Sequence, residues 1–260
     1  MLVGFISEID MKKFLIISDI HGRPFWEKPI NAIINKNLDV ERIIFLGDYF
    51  DPYPQEGISE ESAITNWMHL KSKVVNNLSP NQYVFLIGNH DAHYINNTFR
   101  MKCGGSRMSK YNFNTFEGIF KDNKFLFQMA HEENINGKKV LFTHAGINQD
   151  WLERHNDIIE DVNANTIIKL TESEEGWGAL SDVGHIRGGY QKTGSPLWAD
   201  VNENNGKSGS LKDVYGIDYQ VFGHTQQQTK PIINDNYAML DCRKAFIIDD
   251  DLTINEFAEV

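Results

Sequence analysis

Five short apolar runs, each followed by a polar residue beside a glycine, constrain this 260-residue chain more than any other feature. They are Phe14–Ser18, Ile43–Leu46, Tyr83–Ile87, Val140–Thr143 and Tyr219–Phe222. Runs this short and this rich in Ile, Val, Phe and Leu read as buried strands. Helix-like segments separate the first three. One is Pro29–Asn37; the other is Ser59–Leu78, where Ile64, Trp67, Met68, Val74, Val75 and Leu78 recur at helical spacing. Ser59 reads as its N-cap, with Glu60 and Glu61 in the first turn. Strand, helix, strand, helix, strand implies right-handed crossovers and parallel strands, an α/β arrangement. A further helix is expected over Gln149–Leu170. Thr171–Lys212 is Gly- and Ser-rich and reads as largely irregular, and Tyr237–Phe257 again reads as strands. Irregular segments that long in compact domains are usually functional or disordered.

The residues after each run share a chemistry. Asp19-Ile20-His21-Gly22 follows the first, Gly47-Asp48-Tyr49-Phe50-Asp51 the second and Gly88-Asn89-His90-Asp91 the third. His144-Ala145-Gly146 and Gly223-His224-Thr225 follow the last two. One such dipeptide is ordinarily a turn. Five in succession place imidazoles, carboxylates and an amide at strand carboxyl ends, where α/β sheets bind ligands. Oxygen and imidazole donors without thiolate suit Mn²⁺, Zn²⁺ or Fe. The glycines would let the backbone turn sharply beneath the ions.

Composition narrows the partners. The net charge of −11 argues against a broad nucleic-acid surface, which would be basic, but is compatible with a small phosphate substrate. Two cysteines, Cys103 and Cys242, make neither a disulfide framework nor a thiolate zinc motif, so a reducing, cytoplasmic setting is expected. No stretch is long and apolar enough to span a membrane. The run in "MKKFLIISD" is cut short by Asp19, as a strand rather than a signal peptide would be. Met11 can itself serve as a start, with residues 1–10 as an N-terminal extension and 11–260 as one domain.

Taken together, "DIHG", "GDYFD", "GNHD", "THAG" and "FGHT" resemble, in order, the five blocks of the calcineurin-like metallophosphoesterases. They are most similar to the serine/threonine protein phosphatase type and its bacterial relatives. The resemblance implies a four-layer α/β/β/α sandwich of two mixed sheets flanked by helices, the late strands from Tyr237 completing the second sheet. It implies two divalent metals, manganese first, with iron or zinc as alternatives. Asp19 and His21 would hold one, Asn89, His144 and His224 the other, and Asp48 would bridge them. A hydroxide between the metals would attack phosphorus in line. His90 would be the general acid, with Asp51 fixing its tautomer. Asp91 and His93 are expected to stand behind these residues, and Trp198 to anchor the Thr171–Lys212 segment, which also carries His185 and Asp200.

Two places depart from the family pattern. Pro52 stands where protein phosphatases often carry a phosphate-clamping arginine. Arg187, in "GHIRGGY" ahead of "PLWAD", is the first replacement, followed by Arg107 and then Arg23. Gln226 stands where many relatives have a second histidine, so the first metal would bind more weakly unless Gln226 ligates it. The expected activity is hydrolysis of phosphate monoesters, in phosphoproteins or small metabolites. The alternatives are a phosphodiesterase or nucleotide pyrophosphohydrolase, acting on dinucleoside polyphosphates or cyclic nucleotides, and an inactive metal-binding scaffold.

Overall fold

A computed structural model describes residues 12–105, 107–203 and 211–258. The proposed extension, residues 1–10, lies outside the described residues. In chain order the strands are β1 (Phe14–Ile17), β2 (Arg42–Phe45), β3 (Tyr83–Leu86), β4 (Phe127–Gln128), β5 (His131–Ile135), β6 (Lys138–Phe142), β7 (Tyr219–Phe222), β8 (Ile232–Ile233), β9 (Tyr237–Met239), β10 (Ala245–Ile248) and β11 (Ile254–Glu256). The helices are α1 (Glu27–Ile34), α2 (Glu60–Asn77), α3 (Asn89–Ile95), α4 (Asn97–Cys103), α5 (Phe113–Asp122), α6 (Gln149–Arg154), α7 (Ala164–Lys169), α8 (Glu174–Leu180) and α9 (Lys212–Tyr215).

One sheet has the order β11-β10-β1-β2-β3-β4 and the other β5-β6-β7-β9-β8. Both are mixed. Strands β1 to β4 run parallel, with β10 antiparallel to β1. In the second sheet β6, β7 and β9 run parallel, with β5 and β8 antiparallel at the edges. The pleat explains why the runs are apolar throughout. Leu15, Ile17, Ile43, Phe45 and Phe85 face Trp26, Ile30, Trp67 and Phe116 on the helical side. Phe14, Ile16, Ile44, Leu46 and Leu86 face Val140, Phe142, Val221 and Leu240 of the second sheet. Leu141 turns outward onto Trp151, Leu152, Ile167 and Leu180 from the opposite helical layer. The result is the expected α/β/β/α sandwich.

Four local readings are modified. In α2 the buried stripe is Ala63, Trp67, Leu70 and Val74, while Met68 is exposed because it lies about 100° round from Trp67. Ser59 does cap this helix, its Oγ accepting from Ser62 N at 3.1 Å. The helix expected over 149–170 is two short helices. Asn163 starts the second by accepting from Thr166 N, yet Ile159 and Val162 in the connection are buried, so apolar spacing persists without helix. Within 171–212, α8 forms behind its Ser173 cap, and His185–Arg187 makes a single tight turn. The late strands divide: β9 joins the second sheet, but β10 returns to pair with β1 and carries β11 with it. Both are apolar, and periodicity identifies a strand without naming its partner.

Candidate metal centre and acid dyad

The carboxyl ends of β1, β2 and β3 and those of β6 and β7 meet on one rim. His144 Nδ1 donates to Leu46 O at 2.8 Å and His224 N donates to Asp19 Oδ2 at 3.1 Å, tying the two sheets together there. Asp19, His21, Asp48, Asp51 and His224 all have φ between +26° and +68°. For residues other than glycine this left-handed backbone is unfavourable, and such strain clusters at functional sites.

Two groups of ligand atoms converge, and Asp48 belongs to both: Asp19, His21 and Asp48, then Asp48, His144 and His224. All are buried. His21 Nε2 is 3.3 Å from Asp48 Oδ2, and His144 Nε2 is 3.6 Å from the same oxygen. Asn89 Oδ1 completes the second group, 2.9 Å from His144 Nε2 and 3.0 Å from His224 Nδ1. Burial pushes the Asp48 carboxyl up, but the imidazoles of His144, His90 and His21 outweigh it and hold it well below the usual carboxylate range.

The tautomers favour cations. His21 and His144 each commit Nδ1–H to a backbone carbonyl, of Phe50 and Leu46, so Nε2 is the nitrogen each can offer to a cation. Burial first holds His224 well below the ordinary imidazole value, hence neutral. With its proton on Nε2, which is buried and has no other partner, His224 Nδ1 would join His144 Nε2 and Asn89 Oδ1 as three lone-pair donors within 3.1 Å of one another. A divalent cation resolves that repulsion, so the donor set fits a metal pair.

Beside this centre His90 donates from Nδ1 to Asp51 Oδ2 at 2.9 Å. Tyr94 OH donates to Asp51 Oδ1 at 2.5 Å. Burial raises Asp51, but the hydrogen bond from His90 and the close approach of the His93 imidazole prevail and bring it down to about 2. Burial lowers His90 to about 4 against the pull of Asp48 and Asp51. Asp51, His90 and His93 also have ligand spacing, but Arg107 Nη2 lies 2.9 Å from His90 Nε2, so a guanidinium already covers that imidazole.

The three arginines fare differently. Arg107 also donates to Asp51 O at 2.6 Å and stacks 3.6 Å over the Tyr53 ring. Arg187 pairs with Asp200 at 2.8 Å and donates to Thr225 Oγ1 at 3.1 Å and His224 O at 3.3 Å, beside the second group. Arg23 spends its whole fork on Glu56 and Asp19 O, so it braces the β1 end instead of facing a phosphate. Gln226 Nε2 is buried without a partner. Trp198 sets its edge against His224 and stacks on Phe99. His185 bonds back to Gly189 O on an exposed turn. Asp91 accepts from the backbone N–H of Asp48, Tyr49 and Gly88, knitting the β2 and β3 ends together.

Sequence reasoning missed or underweighted three residues. His93 and Tyr94 share a helical face with His90, three and four residues on, a signal legible once α3 is placed at Asn89. Asp241 closes "YAMLD" as the other polar residues close their runs. It is buried, with Oδ1 unpartnered, and burial and then Asp19 push its carboxyl well above the ordinary range.

The calcineurin-like phosphoesterase family model matches residues 12–228. This chain belongs to that family. It is therefore a hydrolase of phosphoester bonds with candidate ligands for metal at its centre. Comparison with curated proteins finds no match. Among solved structures, this phosphoesterase is similar to a putative diadenosine tetraphosphatase at 14% identity, with 96% of this chain and 94% of that one covered and a TM-score of 0.47. It is similar to a protein serine/threonine phosphatase from Saccharomyces cerevisiae at 14% identity, with 96% and 80% covered and a TM-score of 0.45. A metallophosphoesterase from Sphaerobacter thermophilus is 13% identical, with 96% and 89% covered and a TM-score of 0.41. No helix among the described residues is long and apolar enough to cross a membrane.

Proposed function

We propose that this phosphoesterase hydrolyses phosphate monoesters, in phosphoproteins or small phosphorylated metabolites, with His90 as general acid. The observation that carries the reading is the His90–Asp51 pair standing beside the ligand groups with His90 outside both. Asp19, His21 and Asp48 would hold one cation and Asp48, Asn89, His144 and His224 the other, manganese being the first choice for this donor set. When bound, the cations supply a water of lowered pKa and neutralise phosphoryl charge.

The chain's own residues do the rest. A dianionic phosphate competes for Arg107, drawing its guanidinium off His90 Nε2, while Arg187 approaches from the His224 side. Freed, His90 Nε2 takes up a proton from solvent as the open site admits water and substrate, Asp51 steadies the imidazolium as a carboxylate, and Nε2 then hands that proton to the leaving oxygen. A cleft of about 520 Å³, lined by Lys102, Gly105, Arg187, Tyr190 and Trp198, gives the leaving group room. Cys103 and Cys242 are both free thiols, which supports a cytoplasmic setting.

The test compares one manganese-loaded preparation on a phosphopeptide, phenyl phosphate, bis-p-nitrophenyl phosphate and a dinucleoside tetraphosphate. The monoesters should show the higher kcat/KM, with His90→Ala down about 10²-fold or more on phenyl phosphate and Asp48→Asn inactive. A higher kcat/KM on the diester or the tetraphosphate would overturn the monoester reading.

A further inference from the structure

His93 is completely buried, one helical turn beyond His90 on α3. Its Nδ1 accepts the Gly105 N–H at 3.3 Å, which leaves the proton on Nε2. That nitrogen lies 2.9 Å from Asp51 Oδ2, the oxygen His90 Nδ1 also contacts at 2.9 Å. The approach is bent away from hydrogen-bond alignment, and Nε2 has no other partner. A buried N–H is costly to leave unpaired, and Asp51 is the acceptor this one faces. The other carboxylate oxygen is taken by Tyr94 OH, itself held by Ser109 N at 2.8 Å. The two imidazoles meet edge to face, centroids 5.7 Å apart. Gly105 lies against both, since a Cβ there would stand 3.3 Å from His90 Cε1 and 3.4 Å from His93 Cε1.

We propose that His93 is a positioning residue for the acid step: it flanks the Asp51 carboxylate beside His90, so that Oδ2 stays turned to His90 Nδ1 and His90 Nε2 stays turned to the leaving oxygen. This rests on the reading of His90 as general acid. His93 touches neither phosphate nor leaving group. Its removal frees the Asp51 carboxylate to rotate about its Cβ–Cγ bond, and the aim of His90 is lost with it. The consequence depends on the leaving group. A phenolate of high pKa needs the proton in the transition state, whereas p-nitrophenolate departs well without it.

The experiment uses the full manganese-loaded chain and its His93→Leu, His93→Gln and His93→Asn variants, each with phenyl phosphate and p-nitrophenyl phosphate. The glutamine amide can place an N–H near the position of Nε2; the shorter asparagine cannot. For His93→Leu and His93→Asn we expect kcat on phenyl phosphate to fall about tenfold or more, with p-nitrophenyl phosphate within about threefold and KM little changed. His93→Gln should recover most of the loss. The glutamine–asparagine pair answers the question even if the leucine variant does not fold. Equal losses on both substrates, or no loss on either, would overturn the role of His93 while leaving the monoesterase standing. A wild type inactive on both monoesters would overturn the monoesterase reading and this role together.

Discussion

Asp51 shows how much one carboxylate can organise. It receives Tyr94 OH on one oxygen and His90 on the other, with His93 against that same oxygen, and none of its side chain reaches solvent. Its ionised state is therefore stabilised by donors, and the neighbouring imidazole is held neutral by burial. Both effects carry one sign in acid. His90, at about 4 when folded against an ordinary 6.5, refuses a proton that the unfolded chain accepts between those values. Stability then falls as pH drops through that window, by roughly 3 kcal/mol. Asp51, at about 2 against 3.8, adds a further loss of the same sign between those values. Urea melts of chelator-treated protein should show wild type losing more stability than His90→Gln between pH 7 and pH 4. An equal loss in the two would place the linkage elsewhere.

At the scale of elements, the strand ends approach so closely that side chains are excluded. The glycine before Asn89 reads in the sequence as a turning residue, yet Gly88 has an ordinary extended backbone, φ −94° and ψ 173°. Its requirement is room: a Cβ there would overlap Asp48 Oδ1. Gly47 needs both room and geometry, with φ +100° and Gly88 N against the position of its missing Cβ. Gly88→Ala should therefore push Asp48 out of both ligand groups, lowering metal affinity by about tenfold or more. Isothermal titration with Mn²⁺ would measure this, and wild-type affinity would refute it. The runs and their polar ends were legible because both signals are local, an apolar stretch and the residues next to it. The partner of β10 was not, because Ala245–Ile248 would be equally apolar in either sheet.

For the whole molecule, the centre is a joint. Asp19, His21, Asp48 and Asn89 come from the first sheet's strand ends, and His144 and His224 from the second's. A cation held by Asp48, Asn89, His144 and His224 would tie the sandwich across its rim, and anything that binds only the folded state stabilises it by mass action. At a hundredfold excess over Kd that is about 2.7 kcal/mol. For a chain of this size it corresponds to roughly 5–10 °C in Tm. Chelation should lower the melting temperature by that order and Mn²⁺ should restore it, whereas His224→Ala should respond far less. A melting temperature indifferent to chelator would refute the joint.

By itself the sequence determined the buried strands, the parallel α/β start, the polar residue at each strand end and, through resemblance, the family chemistry they imply. These are properties of neighbours along the chain. Tertiary structure decided what depends on meeting across it. Arg23 is consumed by Glu56, 33 residues away, while Arg107 reaches back over 17 residues to His90. Asp241 is buried near carboxylates it never neighbours in sequence. His93 gained its place against Asp51 only when α3 began at Asn89 and β2 ended beside it. Side-chain type and spacing state which groups can ionise, donate or ligate. Only the packed fold fixes which atoms stand about 3 Å apart, and at that separation a charge, a proton or a cation is shared.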